Sequence, residues 1–117
     1  MADFAPQDTD FEARVRASFA RQRVMETIGA RLLRVAPGEV EIGLAFREDL
    51  TQQHGYLHAG VVAAVVDSAC GYAAMSLAPS GAEVLSIEFK LNLLSPARGE
   101  SFVARARVKR AGRNVTV

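Results

Sequence analysis

The chain is short of the features that most often announce a function. Among its 117 residues there is one cysteine, Cys70, and no tryptophan. A single cysteine excludes an internal disulfide framework and any zinc site built from several cysteines, and it fits a reducing compartment. Charge of one sign is also missing, because 14 Lys and Arg face 13 Asp and Glu. Such a balance recommends neither nucleic acid nor membrane as a partner. The longest uninterrupted apolar run, Val61 to Val66, falls far below the roughly 20 residues that span a bilayer. Met1 is followed by acidic residues instead of a basic leader, so the expected location is the cytoplasm. There is no internal repeat and no low-complexity tract, and the length suits one core.

What is present is a change of period along the chain. Thr9 to Met25 reads as a helix: Thr9 and Glu12 have capping-box spacing, and Phe11, Val15 and Phe19 recur on one face while Arg14, Arg16, Arg21 and Arg23 lie elsewhere. From Ala30 to Phe46 the period falls to two. Pro37-Gly38 marks the turn of a hairpin whose second strand carries Val40, Ile42, Leu44 and Phe46 on one side. Arg47 to Gly55 is polar and reads as a loop. Leu57 to Leu77 is apolar on every face, and its length and alanines favour a helix over a strand despite four valines. Alternation returns in Leu85 to Leu93, with Leu85, Ile87, Phe89, Leu91 and Leu93 expected toward the helix and Ser86, Glu88, Lys90 and Asn92 away from it. A further antiparallel strand follows, with Ala104, Ala106 and Val108 alternating with Arg105, Arg107 and Lys109. Val115 to Val117 reads as the start of yet another, which leads us to expect further C-terminal residues. The order is that of an α+β fold in which an antiparallel sheet wraps one central helix. One short sheet cannot cover a helix that is apolar all round, so a second subunit is expected to cover the rest.

The chemistry concentrates in the central segment. Asp67 is its only formally charged side chain, and burying a lone carboxylate costs several kcal/mol unless it is paired or used. His58, Ala59 and Gly60 open the helix, where backbone N–H groups lack intrahelical partners and suit an oxyanion. His58 and Asp67 are separated by roughly 13 Å along a helix axis and point to opposite faces, so they meet only across a two-fold axis. His58 is read as a helix-start residue that fixes the loop. His54 and His58 lack a third ligand, and no metal is expected. Cys70, one turn after Asp67, is read as a packing residue.

The pattern Gly55-x-x-His58-Ala59-Gly60, then Asp67, then Ser86 in a strand and Ser95-Pro96-Ala97 at its end, resembles the hotdog-fold acyl-CoA thioesterases of the phenylacetate-degradation (PaaI) type. The resemblance runs from about Gly29 to Arg113. It implies a single hotdog thioesterase domain over 1–117, with 1–28 as a helical flank, and homodimers or homotetramers with sites at the dimer interface. By matching position, Asp67 would be the catalytic carboxylate, and the N–H of Ala59, helped by Gly60, the oxyanion donor. Gln52 stands where the family often has Asn, with Gln53 as its neighbour, and Ser86 matches a strand serine that supports the site. Coenzyme A, part of the substrate and not a cofactor, would lie along Leu93, Leu94, Ser95, Pro96, Ala97 and Arg98 and along Arg110, Gly112 and Arg113, the arginines meeting phosphates. The family usually has His-Gly-Gly, and Ala59 replaces the first of those glycines. The implied activity is hydrolysis of an acyl or aryl-acyl CoA, with Asp67 acting either as base for water or as nucleophile. A non-catalytic acyl-CoA-binding module is the alternative. A hydroxyacyl dehydratase is less well matched, because it needs a histidine beside the carboxylate.

Overall fold

The computed structural model describes residues 3–117; the acidic start was read partly on Met1, which lies outside the described residues. The N-terminal helical stretch is two helices instead of one: α1 (Phe11–Arg21) and α2 (Arg23–Ile28). Thr9 and Glu12 form no capping box. Asp10 holds the N-cap position without a side-chain cap bond, and the Asp8 carboxylate takes the Asp10 N–H at 2.9 Å. The break falls at Gln22, whose backbone is extended (φ −81°, ψ 100°). Its side chain is committed elsewhere: Nε2 donates to the Tyr72 hydroxyl at 3.0 Å and Oε1 accepts from Ser68 at 2.8 Å. Tertiary hydrogen bonding thus overrides helical continuity at this one residue. Gly29, at φ 77°, ends α2.

The hairpin forms as its period dictates. β1 (Arg31–Ala36) and β2 (Glu39–Ala45) pair antiparallel with Val35 opposite Val40, and β3 (Ser101–Arg107) pairs antiparallel with the other edge of β2. The Pro37-Gly38 turn requires glycine, since Gly38 has φ 76°. Its N–H donates to the Ser76 hydroxyl, which itself donates to the Ala73 carbonyl, so the turn is tied to the end of the central helix. That helix, α3 (Ala59–Met75), lies across β2 and β3. Val65, Ala69, Tyr72 and Ala73 on its inner face join Val40, Ile42 and Leu44 of β2 in one apolar core. No helix among the described residues is long and apolar enough to cross a membrane.

Arg14 has a job that the periodicity did not suggest. Its guanidinium donates to the carbonyls of Met75, Ala78 and Pro79 at 2.8–2.9 Å and pairs with Asp8 at 3.1 Å. These carbonyls lie at and just beyond the C-terminus of α3, those of Met75 and Pro79 also accepting the N–H of Ala78 and Ala82, and a cation there opposes the helix dipole.

Two strand expectations are corrected. Residues 82–94 run without the ladder hydrogen bonds of a strand among the described residues, and the apolar set expected toward α3 instead faces solvent: Leu85 is 89% and Ile87 77% exposed. Alternation distinguishes two faces but does not say which one meets the helix, and a ladder needs a partner that the pattern does not supply. Val115 to Val117 also forms no strand. Instead Arg110 and Val117 exchange backbone hydrogen bonds around Gly112, where a side chain would run into the Val115 carbonyl oxygen.

Candidate active site

The helix start is built from the loop upward. The loop closes on itself through the Gln52 N–H to the Tyr56 carbonyl and a bridge between Thr51 and Leu57, and the His58 N–H reaches the Leu50 carbonyl at 2.9 Å. Gly55, at φ 86°, makes that closure possible. His58 is the N-cap of α3, and its Nδ1 accepts the Gly60 N–H at 2.8 Å. The imidazole lies so close that a Cβ on Gly60 would stand 3.0 Å from Nδ1. The Ala59 N–H donates to no described residue. Of the two expected donors, then, Gly60 is engaged by His58 and Ala59 is left open to an incoming oxygen. The Ala59 substitution costs nothing in backbone geometry here, since no non-glycine residue among those described has positive φ.

Asp67 sits in the middle of α3, half-buried, and its Oδ1 accepts the Ser86 hydroxyl at 2.6 Å. Ser86 was expected on the face turned away from the helix, and this bond corrects that reading. No cation pairs with Asp67 among the described residues. Cys70, expected to be a packing residue, is exposed. Burial of part of its surface pushes the thiol pKa up, and the charge of Asp67 adds to that rise.

The remaining candidates divide into two groups. Leu94 is 92% exposed, and the Ser95–Arg98 segment turns back so that the Ala97 carbonyl accepts the Leu57 N–H at 3.4 Å, beside the helix start. Arg98 lies 5.4 Å over the Tyr56 ring and donates to its hydroxyl at 3.0 Å. Arg110, Gly112 and Arg113 follow the far end of β3, about 20 Å away for a strand of this length. One chain therefore does not bring Arg98 together with Arg110 and Arg113. Gln52 turns its carbonyl oxygen onto the His54 N–H at 2.5 Å and belongs to the loop closure, while Gln53 is exposed. Among the described residues no three His, Cys, Asp or Glu side chains gather in a way that could hold a metal ion.

An element that the sequence reading passed over is a cavity of about 210 Å³ between the first two turns of α3 and the sheet. Leu57, Val62, Val65, Val66, Phe102 and Ala104 line it, and every lining side chain is apolar. The spacing Val62, Val65, Val66 on a helix facing a valine- and alanine-bearing strand was the available signal.

A sheet laid against one long helix, with an unpaired donor at the helix start and a carboxylate two turns on, is the hotdog arrangement of an α+β fold. The Thioesterase superfamily pattern matches residues 54–117, and the chain belongs to that family. A solved thioesterase family protein from Silicibacter pomeroyi is 55% identical and superposes with a TM-score of 0.89, covering 91% of this chain and 78% of its own. Human acyl-coenzyme A thioesterase 13 is 32% identical over 85 residues, 72% of this chain and 60% of the human protein. The Escherichia coli PaaI protein, from the phenylacetic acid degradation operon, shares the fold at 17% identity, with a TM-score of 0.82 over 92% of this chain and 76% of its own. The chain spans about two thirds of the length of the curated relatives it matches.

Proposed function

We propose that this protein hydrolyses an acyl-CoA thioester to the free acid and coenzyme A, at a site shared by two copies of the chain. The observation that carries the reading is Asp67: the one charged side chain of α3, without a cation among the described residues and held through one oxygen by Ser86. A half-buried charge costs stability, and a hydrogen bond to one oxygen leaves the other available to water. The name of the human relative supports acyl-CoA as the substrate class.

Ala59 and Asp67 are eight residues apart on α3, about 12 Å along the axis, so one carbonyl cannot meet both in one chain. The thioester oxygen is received by the Ala59 N–H of one copy. Asp67 of the other copy removes a proton from water, whose oxygen bonds to the carbonyl carbon. As the tetrahedral intermediate collapses, the C–S bond breaks and the thiolate of coenzyme A leaves, taking up the proton that Asp67 holds. Thiolate is a good leaving group, so no stronger acid is needed. Arg98, braced by Tyr56 beside the helix start, meets a phosphate of the coenzyme; Arg110 and Arg113 reach it only from a different copy.

The test is thiol release from acyl-CoAs by the wild-type protein and by Asp67→Asn. We expect turnover in the wild type and a fall of about hundredfold or more in the variant, the contribution of a positioned base. Equal rates in two folded proteins would sink the catalytic role of Asp67, and binding without turnover in the wild type would favour an acyl-CoA-binding module.

A further inference from the structure

We propose that the cavity at the start of α3 is the acyl pocket and that it selects an unsubstituted hydrocarbon chain of about eight carbons; this rests on the thioesterase reading above. Position is the first argument. Leu57 and Val62, which line the cavity, flank the unpaired Ala59 donor along the chain, and the Leu57 N–H is held by the carbonyl of Ala97, another lining residue, so the cavity lies beside the helix start. A thioester carbonyl received by that donor sends its acyl chain between Val62, Val65 and Phe102.

Volume is the second argument. An apolar protein cavity of about 150 Å³ takes a six-carbon ring, roughly 25 Å³ per carbon. A volume of about 210 Å³ therefore holds about eight carbons.

Chemistry is the third. The lining offers no polar side chain, so a hydroxyl or carboxylate on the acyl chain would be buried without a partner. Hydroxylated and dicarboxylic acyl groups are rejected on that ground, and plain hydrocarbon is favoured.

The experiment measures kcat/KM for straight-chain acyl-CoAs from acetyl to tetradecanoyl, and in parallel calorimetric binding of the same series to Asp67→Asn, a readout that does not need catalysis. Affinity is expected to rise about fourfold per methylene up to octanoyl and then to level or fall. An ω-hydroxyoctanoyl thioester should bind tenfold or more weaker than octanoyl. Ala104→Leu, which adds three carbons to the wall, should shorten the optimum by about three carbons, and Val62→Ala should lengthen it by about two. Affinity that is flat from acetyl onward, or that climbs unbroken to tetradecanoyl, overturns the proposal. An optimum unmoved in both folded variants also overturns it. If the wild type hydrolyses none of the series while Asp67→Asn binds with a break at octanoyl, the pocket stands and the catalytic reading falls.

Discussion

Replacing Arg14 by methionine keeps the aliphatic stem and removes the guanidinium that closes the C-terminal end of α3. Three hydrogen bonds to the carbonyls of Met75, Ala78 and Pro79 are lost, together with the Asp8 ion pair. Charge-assisted bonds of this kind contribute about 1.5–3 kcal/mol each, which would sum to well above 4 kcal/mol if none were replaced. They are replaced in part. The contacts to Met75 and Ala78 are only partly buried and that to Pro79 is exposed, so water can take over some of them. The arginine also carries a cost of its own, because its Nε is buried without a partner among the described residues. Against that, Asp8, whose side chain is 12% exposed, loses its cation and keeps only the Asp10 N–H. The net expectation is a loss of about 2–3 kcal/mol. Urea unfolding at fixed protein concentration reads it as a midpoint lowered by roughly 1.5 M with the slope unchanged. Arg14→Lys, which keeps the charge without the planar fork, should fall between the two. A midpoint shift below about 0.3 M for Arg14→Met would refute the reasoning and show that α3 ends without this clamp.

Two further outcomes follow from groups near the site. Because the Cys70 thiol pKa is raised, its thiolate is scarcer at neutral pH than that of a free cysteine, and alkylation by iodoacetamide should keep accelerating above the ordinary thiol pKa. Asp67→Asn removes the charge that contributes to the rise and should speed alkylation at pH 8; an unchanged or slower rate would contradict the coupling. Gly60→Val places a branched side chain against the His58 imidazole, which already stands 3.0 Å from where a Cβ would be. It should displace the cap and cost about 1–2 kcal/mol and most of the activity, measured by unfolding and by thiol release.

The parts of this fold that could be read from the sequence are those that local chemistry decides. The Pro37-Gly38 hairpin followed from period two on either side of a turn that needs positive φ, and the central helix from the length of an apolar run that no strand would sustain. Asp67 stood out because a charge in such a run demands an explanation. What escaped the sequence was set by tertiary partners. Gln22 looked like one more polar residue on a helix, yet its amide is held by Ser68 and Tyr72 about fifty positions away, and the helix breaks there. Arg14 was placed only as lying off the apolar stripe, and nothing local pointed to its carbonyl partners sixty and more residues along the chain. Ser86 was assigned to the wrong face because alternation in Leu85 to Leu93 is symmetric: the apolar residues are the obvious candidates to meet a helix, and the hydroxyl that bonds Asp67 sits on the other side. The apolar cavity needs α3, β2 and β3 brought together, and no single stretch announces it.

The central claim, a thioesterase site that takes its carboxylate from one copy and its oxyanion donor from another, is tested most directly by mixing two defective proteins. Asp67→Asn lacks the base and Gly60→Val has a displaced helix start, and each should be nearly inactive alone. After joint refolding of equal amounts, half of the dimers should be mixed, and each mixed dimer should hold one intact site, so thiol release from octanoyl-CoA should recover to about a quarter of the wild-type rate. No recovery in a mixture shown to contain mixed dimers, with an active wild type alongside, would contradict the shared site.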